Sequence, residues 1–226
     1  MDLLLHGRVA LVVGGPGYIG SAIVARLRQE GAIVVSASRG PAGDLVMDGR
    51  DDESVEAGFS QLLAQHGRLD AVVVTAAPAA HTLDPARNSD PEQVRDALDA
   101  KALTFLRVAN AALPVMTEAG YGRIVGISGQ NAFLTGNITG SIRNAALIIA
   151  AKNLADAAAG SGVTVNTVNP GAVVDRPGTE VALARGGESS PEQIADLVTF
   201  LASPLAGAIS GESISVGHRV RGVTNL

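Results

Sequence analysis

Three glycines near the amino terminus have the spacing of a phosphate-binding turn. Gly14, Gly17 and Gly20 follow an apolar, β-branched run and lead into an amphipathic segment, in a GxxGxxG pattern. The first glycine allows a sharp turn, the second allows the backbone to approach a pyrophosphate, and the third allows helix to pack on strand. Free N–H groups at the helix start then face the phosphates. We predict a dinucleotide-binding turn that includes Tyr18 and Ile19; a plain strand-to-helix turn is the alternative.

The end of the second predicted strand, residues 33–37, decides which dinucleotide is bound. An acidic residue there binds a ribose 2′-hydroxyl, whereas an arginine accepts a 2′-phosphate. The strand leads into Ser38 and Arg39 without an acid. This favours NADP(H) through Arg39 and leaves NAD(H) possible, because Arg39 is also typical of a solvated turn. Asp48, after a short third strand, is a candidate acceptor for the adenine amino group or an ordinary loop carboxylate.

Small residues follow the fourth predicted strand, residues 71–74, at the edge where open α/β sheets bind ligands. The small side chain of Ala76 leaves room for a cofactor there. His81 lies further along the same loop and titrates near neutrality, so it is either a functional group or a solvated bystander.

Strand and helix patterns alternate along the whole chain. Local signals mark several helix ends: Asp51 and Asp52 as caps, Gly67 as a stop, and Ser190 with Gln193 as a capping box. The alternation predicts an α/β fold, one doubly wound parallel sheet (Rossmann fold) in a single domain over residues 1–226. The predicted strands are residues 9–13, 33–37, 45–47, 71–74, 124–127, 163–168 and 213–216.

Two later helices have features that bear on packing. One begins at Asp90 and is predicted to end near Asn110, because Pro114 disturbs it. The other, residues 144–159, is rich in alanine and apolar on most sides. A helix of that kind needs burial on more than one face, so we expect a homodimer or homotetramer.

Composition narrows the class of protein. The chain has 226 residues, of which 46% are hydrophobic and 17% charged, and its net charge is −5. It has no basic stripe for nucleic acid, no cysteine, and four scattered histidines that do not have metal-ligand spacing. No apolar run approaches the roughly 18 residues of a membrane span. We therefore expect a cytoplasmic protein with a small-molecule substrate, no nucleic-acid or membrane partner and no metal.

Further motifs support a family resemblance. Beyond the glycine turn these are the pair Met47-Asp48, the sequence GRIVGIS at residues 122–128, the stretch from Ala145 to Asn169-Pro170-Gly171, and SPE at residues 190–192. With them the chain resembles the short-chain dehydrogenase/reductases along nearly its whole length. The resemblance implies hydride transfer between NAD(P) and a small carbonyl or alcohol. It also places Ser128, Pro170, Gly171 and Val173 near the nicotinamide.

The chain departs from that family at its catalytic residues. In the family a serine orients the substrate oxygen, a tyrosine exchanges its proton, and a lysine four residues later lowers the tyrosine pKa and holds the ribose. The alignment places Ser128 at the serine, with Gly129 as the alternative, Gly140 at the tyrosine and Asn144 at the lysine. A relay asparagine of the preceding helix would fall near Ala100. Asn144 can still donate a hydrogen bond to a ribose hydroxyl, so Ser128 and Asn144 are the predicted catalytic pair.

No other residue is an obvious substitute. Tyr18 belongs to the glycine turn, and Tyr121 is expected at the opposite edge of the sheet. The only lysines are Lys101 and Lys152, and both are predicted to lie on the surface.

Three functions stay open at this point. The first is an NAD(P)-dependent oxidoreductase with a non-standard active site, in which water or His81 supplies the proton. The second is a catalytically silent dinucleotide-binding or interaction protein. The third keeps the cofactor for non-redox chemistry, since the glycine spacing resembles the extended, sugar-nucleotide-modifying branch of the family.

Overall fold

The computed structural model describes residues 2–78 and 82–224, which form a seven-stranded parallel sheet flanked by helices. The strands follow the order β3-β2-β1-β4-β5-β6-β9. They are β1 (Val9–Val13), β2 (Ile33–Ser38), β3 (Leu45–Val46), β4 (Ala71–Val74), β5 (Gly122–Ile127), β6 (Val163–Pro170) and β9 (Ser213–Val216). Two short strands, β7 (Ala172–Val173) and β8 (Glu188–Ser189), pair with each other in parallel outside that sheet.

The strand order reverses between β1 and β4, which confirms the predicted doubly wound α/β fold. Such a reversal opens a crevice at the carboxyl ends of the strands. Six helices longer than one turn flank the sheet in the described part of the chain. They are α1 (Tyr18–Gln29), α2 (Asp52–His66), α3 (Pro91–Leu98), α4 (Thr104–Glu118), α5 (Ile138–Ala157) and α6 (Pro191–Leu201).

Helices cover both faces of the sheet, so its central strands are apolar on both sides. On one face Phe59 of α2, Phe105 of α4 and Leu147 of α5 pack in one buried cluster. On the other face of the sheet, Ile23 of α1 and Ile194 of α6 belong to a second buried cluster. All residues of β1, β4 and β5 are buried, and this fixes the carboxyl ends of these strands as a rigid edge.

The predicted caps Asp51, Gly67 and the Ser190–Gln193 capping box are confirmed, whereas Asp52, also predicted as a cap, is the first residue of α2. The Asp51 carboxylate accepts from the N–H of Ser54 at 2.7 Å, and Gly67 ends α2 in the left-handed conformation. Ser190 and Gln193 form the reciprocal capping box of α6. These ends are set by groups within a few residues of each other, which is why the sequence reveals them.

The helix that was predicted to end near Asn110 extends to Glu118, so that prediction is wrong. Pro114 lies inside α4. A proline leaves the carbonyl four residues earlier without its donor. Here that carbonyl belongs to Asn110, which is exposed and can be hydrated. A π-helical turn, Asp99–Leu103, joins α3 to α4.

Helix α5 also begins earlier than predicted, at Ile138 instead of residue 144. The Asn137 side chain accepts from the N–H of Gly140 at 2.8 Å and caps the helix, although no apolar periodicity marks this turn. Gly140 and Asn144 therefore lie one turn apart on the same helix.

The amino edge of the sheet is closed by a charged cluster. The buried Asp70 carboxylate accepts from the N–H of Val9 at 2.8 Å, from Arg8 at 3.0 Å and from Arg68. The Tyr121 ring lies between the guanidinium groups of Arg8 and Arg123, 4.2 and 4.3 Å from its centroid. Tyr121 thus lies at the edge opposite the crevice, as predicted.

Asp70→Ala is expected to lower the free energy of unfolding by about 2–4 kcal/mol, because it leaves a buried N–H and two guanidinium groups without their carboxylate. Urea unfolding measures the loss. Asp156→Ala removes an exposed carboxylate paired with Lys152 and is the matched control, with an expected loss below about 0.5 kcal/mol. Equal losses in the two variants would contradict a structural role for the cluster.

Candidate functional site

The glycine turn is packed so closely that side chains would not fit at two of its positions. Gly14 has φ +85°, and a Cβ there would lie 2.6 Å from Thr75 Oγ1 and 2.8 Å from Ala76 N. A Cβ on Gly20 would lie 2.2 Å from the carbonyl oxygen of Gly14. The segment just after β4, which includes Ala76, is therefore in direct contact with the turn.

The first turn of α1 presents open backbone donors. Its first N–H to carbonyl bond runs from Ser21 to Gly17 at 2.8 Å, and no side chain caps the helix. The N–H groups of Tyr18, Ile19 and Gly20 precede that bond, as expected for a helix start. With the positive end of the helix dipole they form an anion-binding surface.

The Tyr18 side chain extends away from the turn. It is 54% exposed, and its hydroxyl donates to the carboxylate of Asp175, just beyond β7. This hydrogen bond raises the pKa of Tyr18 above its usual value, because a carboxylate acceptor favours the protonated phenol. Tyr18 therefore connects the glycine turn to the segment that follows β7.

An exposed arginine, Arg39, lies directly after β2. Arg39 is exposed and forms no ion pair or side-chain hydrogen bond in the described part of the chain. Asp48 is half-buried, and one of its carboxylate oxygens accepts from the N–H of Arg50 at 3.0 Å. Its second oxygen accepts no hydrogen bond from the residues that the structure describes, so Asp48 both forms a turn and leaves one acceptor available to a ligand.

Ser128 and Asn144, the predicted catalytic pair, are brought together by the fold. Both are buried, and the Ser128 hydroxyl donates to the backbone carbonyl of Asn144 at 2.9 Å. The side-chain oxygen of Asn144 is buried and has no hydrogen-bond partner among residues 2–78 and 82–224. Next to Ser128, a Cβ on Gly129 would lie 3.2 Å from Asn144 Nδ2. An unsatisfied buried amide of this kind is ready to bind a polar ligand group.

The end of β6 forms the far side of the crevice. Pro170 is the last residue of β6 and is buried, and Val173 lies in β7, partly buried against the apolar cluster of α1 and α6. A Cβ on Gly171 would lie 2.1 Å from the carbonyl oxygen of Gly187. The chain before β8 is thus held directly against Gly171.

Lys101 is buried, so the prediction that it lies on the surface is wrong. Only 7% of it is exposed, and Nζ donates to the backbone carbonyl of Ser128 at 3.0 Å. Burial, with a smaller effect from the charge of Arg143, lowers the pKa of Lys101 to about 7. The sequence holds a signal for its burial: Lys101 lies four residues after Ala97 and four before Phe105, both buried.

The remaining candidates differ in their placement. Lys152 is exposed and pairs with Asp156, as predicted for a surface lysine. Ala100 is buried in the π-helical turn beside Lys101. Gly140 is buried, and a Cβ there would lie 2.8 Å from the Asn137 side chain. His81 lies outside the described residues.

Residues 2–78 and 82–224 contain neither a metal-binding cluster nor a membrane-spanning helix. No cluster of three or more histidine, cysteine, aspartate or glutamate side chains is placed to ligate a metal ion. No helix has the length and apolarity that crossing a bilayer requires.

Comparison with known proteins supports one family. A family profile described as "Enoyl-(Acyl carrier protein) reductase" matches residues 17–218. The 3-oxoacyl-(acyl-carrier-protein) reductase of Vibrio cholerae is 28% identical over 245 residues, which cover 94% of this chain and 96% of that protein. The enzyme of the same name from Rickettsia bellii is 32% identical over 238 residues, with the same coverage.

A solved structure of another reductase is also similar to this chain. YwfH, described as an NADPH-dependent reductase involved in bacilysin biosynthesis, has a TM-score of 0.79 and 28% identity, covering 93% of this chain and 98% of that one. The profile covers most of the chain, and the Rickettsia relative is matched over almost its full length. The chain therefore belongs to the short-chain dehydrogenase/reductase family of oxidoreductases.

Proposed function

We propose that this protein binds NADP(H) and reduces a small carbonyl compound at a non-standard active site, with residues 1–226 as one cofactor-binding domain. The observation that carries the proposal is the glycine turn, where backbone packing excludes side chains and the N–H groups of Tyr18, Ile19 and Gly20 precede the first helical hydrogen bond. NAD(H) is the alternative cofactor. The NADPH dependence stated for YwfH supports the same choice.

The residues present fit a dinucleotide. Gly14, Gly17 and the first N–H groups of α1 would hold the pyrophosphate, Arg39 a 2′-phosphate and Asp48 the adenine. At the other end Asn144 offers an unsatisfied amide to a ribose hydroxyl. The remaining proposed contacts are Tyr18, Ile19, Gly20, Ala76, Pro170, Gly171 and Val173. When bound, the reduced nicotinamide supplies a hydride.

Ser128 would orient the substrate carbonyl. Its hydroxyl already donates to the Asn144 carbonyl and would turn towards the substrate oxygen. We infer from the alignment that Gly140 and Asn144 stand where the family has tyrosine and lysine, so the proton must come from elsewhere. His81 and water are the sources that the sequence suggests. Since two relatives are named as 3-oxoacyl reductases, 3-oxoacyl thioesters belong in the substrate screen beside simple ketones and aldehydes.

A catalytically silent dinucleotide-binding protein is the second candidate function. It is favoured by the predicted loss of the tyrosine and lysine, because general acid catalysis typically raises the reaction rate by roughly 10²–10⁴-fold. We also propose a cytoplasmic homodimer or homotetramer, because Ile142 and Ile149 of α5 are 42% and 62% exposed.

Titration with NADPH and NADH, followed by nicotinamide fluorescence, tests the proposal. We expect NADPH to bind with micromolar Kd and the carbonyl screen to reveal oxidation of the bound NADPH. Binding without turnover of any carbonyl would favour the silent candidate. Failure of both nucleotides to bind would refute both functions.

Arg39→Ser is expected to weaken NADPH binding by about 10- to 100-fold and to leave NADH binding within about twofold, since a bidentate arginine–phosphate contact is lost. The same titrations measure the change. Arg95→Ser, which removes another exposed arginine from α3, is the control and should alter neither Kd. An equal effect of Arg39→Ser on both nucleotides would argue against a 2′-phosphate contact.

A further inference from the structure

One buried cation has no role in the function proposed above. Lys101 is almost entirely enclosed, and its Nζ donates to a neutral carbonyl; among the described residues no carboxylate forms an ion pair with it. A buried ammonium without a counter-ion is destabilising, and the usual surface position of lysine avoids that penalty. Its burial beside Ser128 calls for a functional reason.

The position of Lys101 is set by an irregular turn. It lies in the middle of the π-helical turn Asp99–Leu103, and such turns are frequent at functional sites. The turn directs Nζ to the backbone oxygen of Ser128, whose hydroxyl is the predicted substrate contact. That oxygen and the hydroxyl belong to one residue and are separated by only a few covalent bonds. An ammonium has three N–H donors, so two remain after the bond to Ser128.

The charged groups around Lys101 favour release of its proton. Arg143 of α5 brings a second buried positive charge close to it, and the segment just after β5 contributes the neutral Ser128. On its own turn, Asp99 is engaged by Arg50 at 2.8 Å and by Arg107 at 2.9 Å. Burial and Arg143 both lower the pKa of Lys101, so its protonated and neutral forms are both accessible near neutral pH.

We propose that Lys101 is the proton source of this site and passes its proton to the substrate oxygen through the Ser128 hydroxyl. The inference rests on the proposed carbonyl reduction. As the carbonyl carbon takes up hydride, the C=O π pair moves onto oxygen and forms an O–H bond with the Ser128 proton. Nζ then returns a proton to Ser128 Oγ and becomes a neutral amine. Solvent reprotonates the amine, so the reaction consumes one hydride and one proton for each alcohol formed.

The chain suits a direct test because Lys101 and Lys152 are its only lysines. Labelling lysine with ¹³C at Cε yields two side-chain resonances, and Lys152→Met assigns them. The Lys101 resonance is expected to titrate with a midpoint of about 7 in the absence of any substrate. A Lys101 resonance that remains that of a charged ammonium up to pH 9 would overturn the proposal, whatever the turnover.

Three variants separate a proton source from a structural cation. In single-turnover reduction, Lys101→Met is expected to slow NADPH oxidation by roughly 10²–10⁴-fold and to remove the fall in rate above pH 7. Lys101→Arg keeps the charge but cannot release a proton near neutrality, so it should be as slow. Both should bind NADPH within about threefold of the natural protein. Lys152→Met is the matched control and should change neither rate nor binding.

The outcomes distinguish this inference from the proposed function. If the natural protein reduces a carbonyl and Lys101→Met reduces it equally fast, Lys101 is not the proton source. Restoration of the rate by arginine would assign a purely electrostatic role and also overturn the proposal. His81→Ala tests the competing donor: loss of the pH dependence in that variant would reassign the proton to His81. If the natural protein binds NADPH but reduces nothing, the proposed reduction and this inference both fail.

Discussion

Replacing Gly14 with aspartate is expected to raise the Kd for NADPH at least 100-fold. Gly14 has φ +85°, which strains any other residue, and its added Cβ would lie 2.6 Å from Thr75 Oγ1. The new carboxylate would also add a negative charge to the turn that the pyrophosphate approaches, and like charges repel. Fluorescence titration measures the loss, and far-UV circular dichroism confirms that the variant is folded.

Gly160→Asp is the matched control for Gly14→Asp. Gly160 has φ +83°, so backbone strain is similar, but nothing lies within 4 Å of an added Cβ there. We expect this variant to lose stability and retain its affinity for NADPH. A Gly14→Asp protein that binds NADPH as tightly as Gly160→Asp does would refute the assignment of the turn.

The second large effect concerns stability. The pKa of Lys101 is lowered from 10.5 to about 7 in the folded protein, so the unfolded chain binds more protons between these pH values. Stability therefore rises as pH increases from about 7 to about 10.5 and is lowest when Lys101 is charged. Lys101→Met removes this penalty. We expect it to raise the free energy of unfolding below pH 7 by on the order of a few kcal/mol.

Urea unfolding of both proteins at pH 6 and pH 9 measures this dependence. The advantage of Lys101→Met should be largest at pH 6 and shrink at pH 9. Lys152→Met, which removes an exposed lysine, should follow the natural protein at both pH values. A destabilised Lys101→Met protein at pH 6 would show that the hydrogen bond to Ser128 outweighs the burial of the charge.

The fold was predictable wherever a short stretch of sequence determines it. Asp51, Gly67 and the Ser190 capping box mark helix ends through bonds within one turn, and β4 is an unbroken apolar run. The start of α5 was missed because Asn137 caps it without apolar periodicity. The pairing of β7 with β8 was not foreseen, since two-residue strands distant in sequence have no local pattern.

The backbone turn of the candidate site could be predicted from the sequence, whereas the burial of its charged side chains could not. The glycine turn and Ser128 follow from strand ends that parallel topology brings to one edge. The burial of Lys101 depends instead on a π-helical turn and on the approach of Ser128, neither of which is encoded nearby in sequence. Its shared stripe with Ala97 and Phe105 was the available signal, but the preference of lysine for the surface outweighed it.

The contrast between the two edges of the sheet has a consequence for how the gene tolerates variation. At the amino edge the Asp70 carboxylate is fully hydrogen-bonded, whereas at the carboxyl edge Asn144 Oδ1 and Arg143 Nε are buried and have no partner within the described ranges of the chain. Substitutions around Asp70 should therefore reduce the amount of protein in the cell, and those around Lys101 should leave the amount intact while removing what the protein does. Paired selections for abundance and for activity would separate the two edges.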